Sequence, residues 1–269
     1  MAVNRAGIVD KNFVGRLSEL SAGPTRNDLD SPVREGTSLT ARRAIDLFRT
    51  QIESRHLDLA ARVLKAKNEC FYTIGSSGHE GNCVVAAAAR PSDPAFLHYR
   101  SGAFYIERGR QVPGATPLFD IMLGLCASKD EPIAGGRHKV FGSKLLEIPP
   151  QTSTIASHLP KAVGMARALS EPWHQSHERE AGRATDKIVI CTFGDASANH
   201  STATGAINYA EWLAHSGVAA PILFVCEDNG IGISTPTPQG WIATTYGNRE
   251  NLAYIGGDGL DLPDGFDAA

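Results

Sequence analysis

The chain has 269 residues, of which 42% are hydrophobic and 27 are glycine, which suits one large α/β domain with an ample core. Its net charge of −3 gives no electrostatic case for nucleic acid. Five cysteines, Cys70, Cys83, Cys126, Cys191 and Cys226, lie mostly in apolar runs with no CxxC, and read as reduced core residues of a cytoplasmic protein. No apolar run approaches the ~18 residues of a membrane span; the longest, 218–226, contains Pro221. The start lacks a signal peptide's apolar core, and Asp10, Glu19, Asp28, Asp30 and Glu35 argue against a transit peptide.

Residues 1–36 are polar, carry Gly23-Pro24, and read as an extended arm, with the folded domain over 37–269. The first helix spans 40–67, its stripe made by Ile45, Phe48, Ile52, Leu59 and Val63, with a length that allows a break near His56. A small-residue helix over 80–90 is stopped by Pro91, a short strand covers 95–98, and a helix over 116–127 turns Leu118, Ile121, Met122 and Leu125 inward. A further helix covers 161–169, and the polar stretch 171–186 leaves His174 and His177 solvated. Runs 188–193 and 222–226 show no polar alternation, as parallel strands buried on both faces do. Between them 201–215 places Ala206, Tyr209, Ala210 and Leu213 at helical spacing, a crossover helix of ordinary size. Helix and strand in alternation predict an α/β fold, a three-layer α/β/α arrangement around a parallel sheet. There is no internal repeat or low-complexity tract.

Asp195 and Asn229 then fall just past the carboxyl ends of two strands, the edge at which open α/β sheets bind ligands. Either residue alone also serves as an ordinary turn former. Together, one carboxylate and one amide carbonyl without nearby sulfur suit a hard cation, magnesium above all. Gly230-Ile231-Gly232 lets the backbone approach, so the Ile231 carbonyl is a third candidate ligand. A crossover helix starting near Asn199 would offer free amides to a diphosphate.

Gly194-Asp195 through Asn229-Gly230-Ile231-Gly232-Ile233-Ser234-Thr235 resembles the thiamine diphosphate signature, most closely that of the α subunit of 2-oxo acid dehydrogenases. The resemblance continues through Ser76-Ser77-Gly78-His79-Glu80, His98-Tyr99-Arg100, Gly135-Gly136-Arg137-His138 and the stretch from Ser153 to Gly164, in the family's own order over roughly 40–269. The exit after Asn229 and the 155–160 segment look more like branched-chain than pyruvate enzymes.

The resemblance implies the thiamine diphosphate-binding fold, with thiamine diphosphate and Mg2+ as cofactors. Asp195, Asn229 and the Ile231 carbonyl would hold the metal, with Gly194, Ala196 and Ser197 beside the cofactor. Tyr99 and Arg100 would meet the diphosphate, Ser153 would hydrogen-bond the aminopyrimidine, and Ile155 would be the wedge that bends the cofactor into its reactive shape. His79, His138 and His158 are the candidate proton donors, although a partly buried histidine is often only hydrogen bonded, and His158 also suits a capping turn. The implied reaction is oxidative decarboxylation of a 2-oxo acid with acyl transfer to a lipoyl-bearing acyltransferase, within a heterotetramer. A β subunit or fused β half would supply the glutamate that activates the aminopyrimidine.

Two departures stand out. Ala196 replaces the glycine usual after Gly-Asp, which ordinary dihedrals would tolerate. The chain closes on Asp261-Leu262-Pro263-Asp264-Gly265-Phe266-Asp267-Ala268-Ala269, inside a stretch after which the family continues, so the domain reads as incomplete at its C-terminal end. An inactive truncated fragment or interaction module of the same fold is the alternative reading. A plain dinucleotide-binding domain is disfavoured, because no Gly-x-Gly-x-x-Gly opens a helix after a strand.

Overall fold

The computed structural model describes residues 5–21, 23, 28–70, 75–137 and 141–269; His138 falls outside them. The first element is a helix, α1 (Arg5–Glu19), where an extended arm was expected. Ala6, Val9, Phe13 and Leu17 recur every three or four residues, and the Phe13 ring meets Phe48 at a centroid distance of 6.4 Å. The second helix, α2 (Ala41–Ala66), runs unbroken through His56. Thr40 caps it by accepting the Arg43 amide at 3.2 Å.

A 3-10 turn, Glu80–Asn82, leads into α3 (Cys83–Ala88) and the two-residue strand β1 (Ala95–Phe96). Then come α4 (Gly102–Arg110), α5 (Pro117–Leu125) and an antiparallel pair, β2 (Phe141–Ser143) with β3 (Ile148–Gln151). Helix α6 (Leu159–Leu169) is followed by α7 (Pro172–Glu180), inside the polar stretch 171–186. Pro172 reads as a breaker in sequence, but it occupies the first helical turn, where its missing N–H costs nothing. His177 is exposed there as expected, whereas His174 is half-buried with its ring edge-on to Trp173.

Strand β4 (Val189–Gly194), a four-residue helix α8 (Asp195–Ala198), the crossover α9 (Ser201–His215) and β5 (Ile222–Glu227) form the expected βαβ unit. After it come α10 (Trp241–Tyr246) and α11 (Leu262–Ala268). Helix α11 is tied back to the start of the domain, Asp261 pairing with Arg34 at 2.7 Å and Asp267 accepting from the Ser38 hydroxyl at 2.8 Å.

The strands align in parallel in the order β1-β4-β5, with Ala95 beside Ile190, Val189 beside Ile222 and Gly194 beside Glu227. Every residue of β4 is buried. Val189, Cys191 and Phe193 enter one apolar cluster with Leu159, Ala162 and Val163 of α6 and Ala206, Ile207 and Ala210 of α9. Ile190 enters another with Leu47, Leu97, Phe104 and Ile148. Fully burying a side chain such as Ile190 contributes roughly 1.5–3 kcal/mol, so both faces of the central strand stabilise the sheet. Strand β5 differs from expectation: it is one of the two edge strands among the described residues, and all six of its residues are only partly buried, whereas both residues of the other edge strand, β1, are buried.

Candidate active site at the carboxyl edge of the sheet

The β4–β5 register fixes the centre of the site. Because Gly194 lies beside Glu227, the next residues, Asp195 and Asp228, leave the same edge together, and Asn229 follows one residue later. Asp195 accepts a hydrogen bond from the Thr237 hydroxyl. Asp228 accepts the Gly230 amide at 3.2 Å, and its carboxyl is held up by burial and then by the neighbouring charge of Asp195. Two carboxylates thus crowd one strand edge, where a cation would relieve their repulsion.

The Asn229 side-chain oxygen, Oδ1, accepts the Ile231 amide at 3.2 Å. Beyond it the chain makes a narrow turn: the Gly232 amide donates to the Thr235 carbonyl at 2.7 Å, and the Thr237 amide to the Gly230 carbonyl at 3.0 Å. The Ile231 carbonyl takes no part in that pairing. A Cβ built on Gly232 would lie 3.0 Å from the Cβ of Ala196 and 3.3 Å from the Thr235 carbonyl, so a side chain there would push the two loops apart by a few tenths of an ångström. Ala196 itself has no positive φ, which explains how a methyl is accommodated there.

These residues line a pocket of about 430 Å³, within the range of small-molecule sites. Gly194, Asp195, Ala196, Ser197, Asn229 and Ile231 form one wall, and His79, Tyr99, Arg100 and Ile155 also line it. Arg100 lies 5.0 Å from the Tyr99 ring centroid and donates to the Gly75 carbonyl at 2.6 Å. Ser153 is half-buried but does not line this pocket. Nor does His158, whose Nε2 bonds the Thr192 carbonyl at 2.7 Å and whose ring is kept neutral chiefly by burial. That bond gives His158 a structural task at the end of β4 in place of the expected contact with the reaction.

The expected amide donors also shift. The nearest turn is α8, whose Asp195, Ala196 and Ser197 line the pocket. Helix α9 begins six residues after Asp195, and His200 already caps it by accepting the Thr202 amide at 3.1 Å.

Two residues on this side of the site went unassigned in the sequence, His98, which lines the pocket, and Glu227 behind it. His98 follows β1 by two residues, and its backbone amide bonds the Thr192 hydroxyl at 2.7 Å. Burial first, and then the neighbouring His79, His158 and Arg100, push its ring well below the usual histidine range, and its buried Nδ1 has no partner. Glu227 closes β5 and accepts from His79 Nδ1. Ligand atoms of His79, His98 and Glu227 lie within 4.8 Å of one another. The His79–Glu227 hydrogen bond, with Asn82 at 3.3 Å and Ser101 at 3.4 Å from the same carboxylate, accounts for that cluster without an ion. The rule that ligands gather at strand carboxyl ends would have found both His98 and Glu227.

Helix α2 supplies Arg55, Asp58 and Arg62, one face at helical spacing, to the opposite wall. Arg55 pairs with Glu80 at 2.7 Å. Asp58 accepts the Ser76 amide at 2.8 Å and hydroxyl at 3.0 Å, yet burial raises its carboxyl to about 6. The folded state therefore holds this proton more tightly than the unfolded chain, so ionisation opposes folding above about pH 6 and the cost disappears towards pH 4. Asp58→Asn, which keeps an acceptor for Ser76, should gain on the order of 1–2 kcal/mol at pH 7.5 and nothing at pH 4. Urea titrations at the two pH values measure this; an equal effect at both would refute it.

A family model described as "Dehydrogenase E1 component" matches residues 48–262. Over 208 residues the chain is 28% identical to the 2-oxoisovalerate dehydrogenase subunit alpha of Bacillus subtilis (strain 168), covering 75% of this chain and 56% of that protein. The mitochondrial 2-oxoisovalerate dehydrogenase subunit alpha of Caenorhabditis elegans is 26% identical over 199 residues, 73% of this chain and 41% of the relative. The Mus musculus counterpart is 32% identical over 172 residues, 63% and 34% respectively. The chain thus spans about half or less of the length of these relatives.

Proposed function

The chain belongs to the dehydrogenase E1 component family, and from that premise we propose that it is the α portion of a thiamine diphosphate- and Mg2+-dependent dehydrogenase acting on branched-chain 2-oxo acids. The observation that carries this reading is the pairing of Asp195 and Asn229 at adjacent strand ends, with Asp228 crowding the same edge. Their donor set is all oxygen, which fits Mg2+ and offers nothing to a softer metal. When bound, thiamine diphosphate supplies the nucleophilic carbon that takes the carbonyl of a 2-oxo acid.

The chain's own residues hold and orient. Asp195, the Asn229 amide oxygen and the Ile231 carbonyl are the cation ligands. Gly194, Ala196 and Ser197 bring backbone against the diphosphate. Arg100 spends one guanidinium nitrogen on the Gly75 carbonyl and keeps others for phosphate oxygens, with Tyr99 stacked beside it. Neutral His98 adds a hydrogen-bonding ring without a charge that would compete with Arg100. Ile155 is the apolar support for the organic end, and Ser153, which does not line this pocket, is the hydrogen-bond partner of the aminopyrimidine.

The three-layer α/β/α fold belongs to this reading, supported by the apolar clusters on both faces of β4. So do a cytoplasmic setting, a β-type partner domain with its activating glutamate, and a lipoyl-bearing acyltransferase as acyl acceptor. Among the described residues no helix is long and apolar enough to cross a membrane.

Calorimetric titration with thiamine diphosphate and Mg2+ tests the site. Wild type should bind, and Asp195→Ala should bind at least about tenfold more weakly, the loss of one charged ligand amounting to 1.4 kcal/mol or more. Equal affinity for the two proteins would overturn the ligand assignment.

A further inference from the structure

Asn229 is useful to a cation only through its carbonyl oxygen, and an amide can rotate to present its NH2 instead. Something must choose between the two orientations. The side-chain NH2 lies 3.2 Å from His79 Nε2, while the oxygen sits on the opposite side, accepting the Ile231 amide. His79 has its other nitrogen, Nδ1, against the Glu227 carboxylate. A carboxylate accepts, so Nδ1 carries the proton and donates; Nε2 is then a lone pair, and only the NH2 of Asn229 can satisfy it.

Glu227 is itself fixed. Asn82 donates to it at 3.3 Å and the Ser101 hydroxyl at 3.4 Å, while the Asn82 oxygen accepts the Phe104 amide at 2.8 Å. The remaining side of the amide is closed by Gly78, where an added Cβ would lie 3.2 Å from the Asn229 nitrogen and φ is +83°.

We propose that Glu227 and His79 form a relay that locks the Asn229 amide with its oxygen towards the cation. His79 is a positioning residue, since both ring nitrogens are engaged within the protein and neither is offered to a substrate. The inference rests on the reading that Asp195 and Asn229 hold a divalent cation. It adds two residues, one just before the 3-10 turn and one at the end of β5, that set the ligand's orientation as outer-shell partners do in metal sites.

The test uses Mn2+ as probe, its affinity for the whole chain measured by electron paramagnetic resonance with thiamine diphosphate present, alongside thermal melts. His79→Phe removes the acceptor and should weaken Mn2+ binding about 10–100-fold. His79→Gln, which restores an acceptor oxygen near the Nε2 position, should recover affinity to within about threefold of wild type, a rescue that a packing role would not give. Glu227→Gln, nearly isosteric, no longer forces the proton onto Nδ1 and should weaken binding about fivefold or more, which decides the matter if His79→Phe does not fold. Wild-type affinity in both His79→Phe and Glu227→Gln, with Asp195→Asn impaired, would overturn the relay while leaving the cation site standing. Equal losses in His79→Phe and His79→Gln would overturn it too. Unchanged affinity in Asp195→Asn would overturn the cation site itself, and the relay with it.

Discussion

Arg43→Ala should cost about 3 kcal/mol of folding stability, because it strands a carboxylate inside the protein. Glu107 on α4 is fully buried, and its two oxygens are met by the Arg43 guanidinium and, at 2.8 Å, by the Thr50 hydroxyl. Both partners come from α2, so the pair also fastens α2 to α4. Arg43 keeps 32% of its side chain exposed, which places the expected cost at the low end for a broken buried pair. Glu107→Gln keeps the Thr50 hydrogen bond without the charge, so the double variant Arg43→Ala/Glu107→Gln should recover a large part of the loss. Urea unfolding of the two single variants and the double variant measures the coupling. Strict additivity would show that the charge is not what the mutation exposes.

Phe104→Ala should cost about 3–5 kcal/mol, the range for deleting a fully buried aromatic ring. Phe104 has no exposed surface, and the Arg108 guanidinium lies 5.2 Å from its ring centroid. Arg108 is as deeply buried, and one of its nitrogens donates to the carbonyls of Pro91, Asp93 and Leu146 at 3.0–3.3 Å. Burial lowers its pKa to about 10, so it stays protonated at neutral pH and needs that cover. Removing the ring opens a cavity and uncovers a cation together. Phe104→Leu, which keeps most of the volume, should lose much less. A calorimetric melt giving under about 1.5 kcal/mol for the alanine variant would contradict the account.

Helix α4 is also where the sequence was hardest to read. Gly102, Gly109, Glu107, Arg108 and Arg110 leave no apolar stripe, and the local pattern resembles a loop. It is helical because α2, α3 and α5 pack around it and partner its charges, information held in no single window. Strand β4 and helix α9 were legible for the opposite reason: unbroken burial and clear 3.6-residue spacing leave few alternatives. The partial exposure of β5 was hidden, since an apolar run does not say whether its strand is central or outer. In α1 the spacing of Ala6, Val9, Phe13 and Leu17 was present, but the Gly23-Pro24 that follows drew the whole segment into the class of arms.

The site divides in the same way. Asp195 and Asn229 were found by position and residue type, as oxygen donors just past the ends of two apolar runs. Asp58 and Arg55 were not, because they belong to a long amphipathic helix whose charged face looks solvated until Ser76 and Glu80 are laid against it. His79 was singled out as a proton donor, and only its partners, Glu227 and Asn229, reveal an orienting task.

The contact between Ala196 and Gly232 bears on how such a chain can change through descent. The two loops that frame the strand edge have room for one methyl group, and Ala196 has taken it. A side chain at 232 would press on the Ala196 methyl and on the Thr235 carbonyl, so with alanine at 196 a substitution at 232 needs one of the two loops to give by a few tenths of an ångström.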